Sequence, residues 1–581
     1  MMTFPRCKIA LSAALWLLTC GVASGSDYDY PILDVRGRHS ASFGEMRPNH
    51  FHSGIDIKTE GKQGKQIVAA ADGYISRVLY SPYGYGLALY VVHPDLGTMT
   101  VYGHLSRFRE YVADYVRAEQ YAQRRSRVDL TLEANIFPVR RGEVIGYSGN
   151  SGSSFGPHLH FELRTADGEQ TLNVVRRGLC APQDDIAPQL LSLDYIDTDT
   201  LDGVSVERLR RSYALEKRGS EYVIDGEVEV GRCGYFVLSC RDRQNGTSNR
   251  YGIYRVSVRL DDSPIFEYRM DGFRFDDTRA CNVVSYYPLQ RTARCEVLRL
   301  AKIGPCVDAY STASAQRGVV AAEPNEQRRV EIEVEDDCGN VSVARFVVRG
   351  RENDSLLPAT ESLRPPHSLV GGAAKDVSVA CRGARLGVPA WSLYEPTFCS
   401  VAKMGAVGET IEGVEVLSPE YNVLSADVPL RGSVGVHIEA DVPLELMSRV
   451  CVARRNAKGK WRYAGGYYVA GGGTMLAKSC GAMAVVADVA APQITPLFES
   501  GADMRKSGSL RFRVSDNFSD IDTYELRVDG KWCAVDFRSM TGEMVYAFDE
   551  TLPATGQRHE VELRVTDCCG NIALWRGEIV R

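Results

Sequence analysis

Between Asp27 and Leu179 the chain has no cysteine. A metal site in that stretch must therefore be built from nitrogen and oxygen ligands, without thiolate. No Cys-x-x-Cys pair occurs anywhere, which excludes a zinc ribbon. The helical His-Glu-x-x-His signature is missing as well, so zinc chemistry of that kind has no carrier here. Beyond the N-terminus no run of about 18 uninterrupted apolar residues exists, and no transmembrane helix is expected after processing. No basic stripe or aromatic ladder stands out. A net charge of -6 over 581 residues gives no argument for nucleic-acid binding.

What is present begins with an export signal over residues 1–25. Arg6 and Lys8 precede an apolar run from Ile9 to Leu18, and small residues follow at Ala23-Ser24-Gly25. Leu17-Leu18-Thr19-Cys20 is a poor lipoprotein box because threonine directly precedes the cysteine. The mature protein is expected to be periplasmic, envelope-associated or secreted. Fourteen cysteines all lie from Cys180 onward, an even set that reads as disulfide-forming in an exported protein. The length calls for three to five domains rather than one core.

Seven of the ten histidines fall between His39 and His160. In Gly156-Pro157-His158-Leu159-His160-Phe161-Glu162, His158 and His160 share one face of a strand. Glu162 shares that face too, as a hydrogen-bond partner of a ligand imidazole or as half of a strand-end ion pair. In Asn49-His50-Phe51-His52-Ser53-Gly54-Ile55-Asp56-Ile57, an even separation puts His52 and Asp56 on one face of a strand favoured by Ile55 and Ile57. Thr100-Val101-Tyr102-Gly103-His104-Leu105 places another histidine at the end of a β-type run. These blocks offer two imidazoles and a carboxylate, with two further histidines nearby. Three protein ligands on tetrahedral Zn²⁺ leave a fourth position for water, the mark of a catalytic site. His50 reads as groove-lining or exposed; His39 and His93 read as structural.

The three blocks, in this order, resemble the lysostaphin-type (LytM-like) zinc metallopeptidases: His-x-x-x-Asp, then Tyr-x-His-Leu, then Gly-x-His-x-His-Phe-Glu. Val68-Ala69-Ala70-Ala71-Asp72-Gly73-Tyr74-Ile75, Gly84-Tyr85-Gly86 and Arg141-Gly142-Glu143-Val144-Ile145-Gly146 agree as well, and the likeness covers about residues 38 to 165. It implies that His52, Asp56 and His160 bind one Zn²⁺ and that His104 and His158 form the catalytic pair. It also implies hydrolysis of peptide cross-links in bacterial peptidoglycan. Two other readings stand beside it: a noncatalytic envelope-binding or activating scaffold, and a zinc endopeptidase acting on a secreted or host protein. An insertion after His104 carries Val112, Tyr115, Val116 and Glu119 at helical spacing, an amphipathic helix that walls the groove or packs on the sheet.

The expected architecture is mainly β: an antiparallel peptidase domain with an inserted helix over residues 27–180, then immunoglobulin-like β-sandwiches. The first sandwich spans 187–350 with an insertion, a β-rich region of unnamed fold spans 360–488, and a second sandwich spans 490–581. The sandwiches show as a repeat. Val330 to Asn340 aligns without gaps on Val561 to Asn571, Val258 to Asp261 matches Leu526 to Asp529, and Ala-Pro-Gln opens each copy at Ala187 and Ala491. These modules read as spacers and stabilisers, or as surfaces for glycan or an envelope protein partner.

Overall fold

The computed structural model describes residues 27–581 apart from 36, 303–315, 356, 373, 409–410 and 551. Residues 1–25, expected to be an export signal, and Cys306 lie outside the described residues. The protein is mainly β, and most of its pairings are antiparallel.

The first sheet runs in the order His39–Ala41, Ile55–Lys58, His158–Thr165, Thr98–Phe108, Leu87–His93, Gly73–Tyr80, Pro138–Val139. Its central strand alternates strictly. Leu159, Phe161 and Leu163 are buried in the hydrophobic core, while His158, His160, Glu162 and Arg164 leave the opposite face. Ile55 and Ile57 enter the same core and turn Asp56 the other way. Register places His160 opposite Asp56 on one side and opposite Gly103 on the other. One expectation fails here. His52 and Asp56 do not share a strand, because the strand His50–Phe51 ends before a turn and pairing resumes only at Ile55. At Gly54 the backbone passes so close to the central strand that a Cβ would sit 2.3 Å from the Phe161 carbonyl oxygen. Only glycine fits that approach, and it breaks the strand.

The insertion forms a helix, Glu110–Gln123. Val112, Val116 and Gln120, spaced by four, are buried on one face, with Gln120 rather than Glu119 as the third member. The helix packs on the sheet and also meets the far end of the chain. Tyr121 donates a 2.6 Å hydrogen bond to Asp549 Oδ2, Arg117 pairs with the same carboxylate at 3.1 Å, and the Tyr121 ring meets Trp532 edge-on.

Between these ends lie three further pairs of sheets. A four-stranded and a seven-stranded sheet are built from residues 189–350, a five- and a six-stranded sheet from 377–488, and a four- and a five-stranded sheet from 493–580. The second and third pairs each close on their own core, as β-sandwiches do. The first instead shares one continuous core with the first sheet, and Gln170–Leu172 of that sheet pairs directly with Gly272–Arg274. The sequence repeat is also a repeat of register. Leu260 faces Val330 in one copy, and the equivalent Val528 faces Val561 in the other. Cys180 aside, the described cysteines carry free thiols, so the expected disulfides are not formed among them.

Asp549→Ala leaves the Tyr121 hydroxyl and the Arg117 guanidinium without their shared acceptor. A hydrogen bond to a charged group contributes about 1.5–3 kcal/mol, less where exposed as Arg117 partly is. The urea midpoint of the C-terminal unfolding step, followed by Trp532 fluorescence, should fall, and zinc content should not change.

Candidate active site and metal centre

The five sequence-selected side chains come together at one end of the central strand. His52 Nε2, Asp56 Oδ1 and His160 Nδ1 form a triangle with sides of 3.1, 2.9 and 3.0 Å. Each side chain is nearly fully buried. The outward nitrogens of the two imidazoles are already committed. His52 Nδ1 donates to the Ser42 carbonyl at 2.7 Å, and His160 Nε2 donates to Glu162 Oε1 at 2.7 Å. In the neutral tautomers so fixed, both inward nitrogens carry lone pairs, aimed at each other and at a carboxylate oxygen. Three acceptors with no proton among them repel one another, and a cation between them removes the conflict.

The residues fit zinc in donor type and in size. Ligands at about 2.0–2.1 Å in a tetrahedron lie about 3.3 Å apart, so the triangle needs to open by only a few tenths of an ångström. The second oxygen of Asp56 accepts from Arg47 Nη2 at 2.8 Å, which leaves one oxygen for a metal.

His104 and His158 stand across from this triangle with ring centroids 4.7 Å apart. Their Nδ1 atoms donate to the carbonyls of Ser151 and Gly156, both at 2.8 Å, so each Nε2 carries a lone pair. His158 Nε2 is buried, has no hydrogen-bond partner, and lies 3.4 Å from Asp56 Oδ1. His104 sits at φ 58°, a left-handed conformation that costs a non-glycine residue on the order of 1 kcal/mol. Ser151 and the Tyr85 carbonyl, which accepts the His104 N–H at 2.8 Å, hold it there.

Electrostatics follow from burial and neighbours. Burial, with Arg47 close by, pushes the His52 imidazole down to about 4. Burial, with His158 and His160 beside it, takes His104 down to about 3. Without a cation in the triangle the His160 ring takes up a proton in its place: burial works against that charge, but hydrogen bonds to Asp56 and Glu162 outweigh it and lift the ring to about 9. The position is one where the chain favours positive charge. Burial alone would raise the Asp56 carboxyl, yet the surrounding imidazoles hold it well below the ordinary range.

Glu162 resolves both of its readings at once. It is fully buried, accepts from His160, Tyr85 and Ser53, and pairs with Arg164 at 2.5 Å. Tyr85, whose ring lies 5.1 Å from that of His160, and Arg47 were not selected from sequence as site residues. Tyr85 lay in the Gly84-Tyr85-Gly86 block, whereas nothing local marks Arg47. His50 is exposed, and its ring bonds the Pro48 carbonyl. His93 binds the Asp72 carbonyl and Thr100, away from the site. A groove of about 650 Å³ opens over Asp56, His104 and His158, with the almost fully exposed Phe155 on its rim.

Comparison with known proteins follows the same outline. The Peptidase family M23 profile matches residues 50–122. The DD-carboxypeptidase/endopeptidase Mpg of Neisseria meningitidis is 36% identical over 154 residues, 26% of this chain and 29% of that protein. Lysostaphin of Staphylococcus simulans is 30% identical over 112 residues, 19% of this chain and 18% of that protein. A zinc-containing peptidase from Vibrio cholerae is 25% identical, with a TM-score of 0.18 over 24% of this chain and 36% of that one. The chain thus spans less than a third of the length of these curated relatives.

Glu162→Gln keeps the shape but removes the charge that sets the His160 tautomer. Losing such a partner costs roughly 10–100-fold in metal affinity. Titration against a chromophoric chelator should show that loss. An unchanged affinity, with far-UV circular dichroism also unchanged, would deny Glu162 any part in holding the imidazole.

Proposed function

We propose, for a chain whose N-terminal region is a LytM-type domain of peptidase family M23, that it is an exported zinc-dependent metalloendopeptidase hydrolysing the peptide cross-links of bacterial peptidoglycan. The observation that carries the reading is the triangle of His52, Asp56 and His160 with two further imidazole lone pairs opposite it. The peptidoglycan substrate is supported by the relatives named as a DD-carboxypeptidase/endopeptidase and as lysostaphin. Export is supported by the N-terminal signal pattern.

His52, Asp56 and His160 would hold one zinc ion, which supplies Lewis acidity toward water and toward a scissile carbonyl. The remaining work falls to the chain. A peptide lying along the groove past Phe155 brings its amide to the buried floor, where water is scarce and electrostatic interactions are strong. His158 and His104, each with Nε2 open, take a proton from the attacking water and return it to the leaving amine. Their Nδ1 bonds to the Ser151 and Gly156 carbonyls keep both rings aimed and stabilise the imidazolium while it exists. Cleavage yields a carboxylate and an amine.

His52→Ala and Asp56→Ala should each lose zinc and hydrolysis together. His158→Ala should retain most zinc while turnover falls on the order of 10²–10⁴-fold, the usual weight of a general acid/base. Purified peptidoglycan and a Gly-rich protein should be digested side by side, with and without chelator, and the products read by mass spectrometry. Chelator-insensitive release of muropeptides would overturn the metal mechanism. Cleavage of the protein alone would move the substrate outside the cell wall.

A further inference from the structure

Outside the peptidase site, two groups of three aspartates recur at matching places in the two repeated sandwiches. Asp184, Asp242 and Asp336 offer carboxylate oxygens within 4.8 Å of one another, and so do Asp488, Asp516 and Asp567. The correspondence is residue by residue. Asp184 and Asp488 stand three positions before Ala187-Pro188-Gln189 and Ala491-Pro492-Gln493. Asp242 and Asp516 each directly follow the strand paired with the sandwich's first strand. Asp336 and Asp567 begin the equivalent Asp-x-x-Gly-Asn turns.

The polar contacts also match. Asp336 Oδ1 accepts from the Cys338 and Asn340 amides, and Asp567 Oδ1 from those of Cys569 and Asn571. Asn340 Nδ2 bridges Asp336 Oδ2 to the Asp184 carbonyl, as Asn571 Nδ2 bridges Asp567 Oδ2 to that of Asp488.

A turn motif alone would stop there, with every buried oxygen satisfied. Here several are not. Asp242 Oδ1 and Asp488 Oδ2 have no donor, on side chains only 2% and 0% exposed. Asp516 Oδ2, Asn571 Oδ1 and, in the first copy, Gln244 Oε1 are likewise buried without a partner. Burying an anion that lacks a partner costs several kcal/mol at least. Burial, with Asp336 and Asp184 nearby, pushes the Asp242 carboxyl up to about 9, and burial raises Asp336, Asp488 and Asp516 as well. The same unbalanced charge in both copies argues for a missing partner rather than an isolated irregularity.

We propose that each sandwich binds one hard divalent cation of the calcium class through these aspartates. The donors are oxygens, without the imidazole or thiolate that zinc favours. Three carboxylates with an adjoining amide oxygen suit the flexible, many-oxygen shell of Ca²⁺ better than the rigid octahedron of Mg²⁺. Asp184 belongs to the segment that leads from the peptidase region into the first sandwich. Asp488 ends the strand Gly481–Asp488 of the middle region. Each ion would tie a sandwich to the part of the chain before it, and so fix how consecutive modules are oriented.

Equilibrium dialysis of the full chain against Ca²⁺, with bound metals counted by mass spectrometry, tests this. Two Ca²⁺ per chain are expected beyond zinc, with dissociation constants no weaker than about 10⁻³ M, as in extracellular modules. Asp242→Asn and Asp488→Asn should each remove one Ca²⁺, and the double variant both, with zinc content unchanged. Should either fold poorly by circular dichroism, Asp184→Asn and Asp516→Asn, at the more exposed positions, are read in its place. A wild-type chain that binds no Ca²⁺ at 10-fold above that constant, or binding that survives the double substitution, would overturn the proposal. Mg²⁺ at equal concentration displacing all Ca²⁺ would overturn the assignment to calcium.

Discussion

The seating of His158–Thr165 between Ile55–Lys58 and Thr98–Phe108 is the constraint on which the site depends. Leu159, Phe161 and Leu163 must face the core, so the register of this strand is fixed by apolar burial. A slip of one residue would send His158, His160 and Glu162 into the hydrophobic core and the leucines into the groove. Hydrophobic burial, which is itself non-directional, thus sets where the imidazoles sit. The flanking strands then bring Asp56 and the Gly103-His104 segment to the same end of the sheet.

Hydrogen bonds supply the direction that packing cannot. Four of the five site residues are histidines, and each has one ring nitrogen tied outward to a carbonyl or a carboxylate. An untied histidine has two tautomers and a rotatable ring, so four free ones would present many arrangements, few of them productive. With the ties in place, every inward nitrogen is a lone pair once its ring is neutral. The one ring bonded to a carboxylate rather than a carbonyl is His160, and the charge of Glu162 passes its influence to the His52–Asp56–His160 triangle through that ring. Arg164 on the far side of Glu162 keeps the carboxylate ionised despite complete burial. The chain of contacts Arg164, Glu162, His160 is therefore a graded one, with each member holding the charge state of the next.

Much of this was legible in the sequence because a period-two strand leaves a plain pattern. His158-Leu159-His160-Phe161-Glu162 announces both faces of the sheet, and Glu162 was correctly placed beside the imidazoles. His52 shows where such reasoning ends. Its even spacing from Asp56 was read as one continuous strand, whereas the chain turns at Gly54 because the backbone grazes the Phe161 carbonyl. The pair still meets, brought together by the Ser42 carbonyl and the fold of the turn. Arg47 was not legible at all. Its contact with Asp56 depends on a loop whose path is set by residues more than 200 positions away. The inserted helix showed Val112 and Val116 of its buried face in the sequence, but not Gln120 or the partner on its other side, since Asp549 and Trp532 carry no local sign of Tyr121.

That distant control of the Arg47 loop changes how the β modules are understood. Thr278 Oγ1 both donates to the Phe51 carbonyl and accepts the Phe51 N–H, at 3.2 and 3.1 Å. Glu296 accepts the Met46 N–H at 3.0 Å, Asn282 donates to Asn49, and Phe273 packs against Phe51 and Phe43. Every one of these partners comes from the first sandwich or its insertion, and the segment they hold leads directly to His52. A spacer would meet the catalytic sheet through water or a flexible linker. This module instead supplies hydrogen-bond partners to the backbone of a half-buried loop. The geometry of the His52 imidazole is thus decided partly outside the sheet that carries the others. The first sandwich belongs to the site as a structural support, and the continuous hydrophobic core that joins them is the physical reason the two cannot move independently.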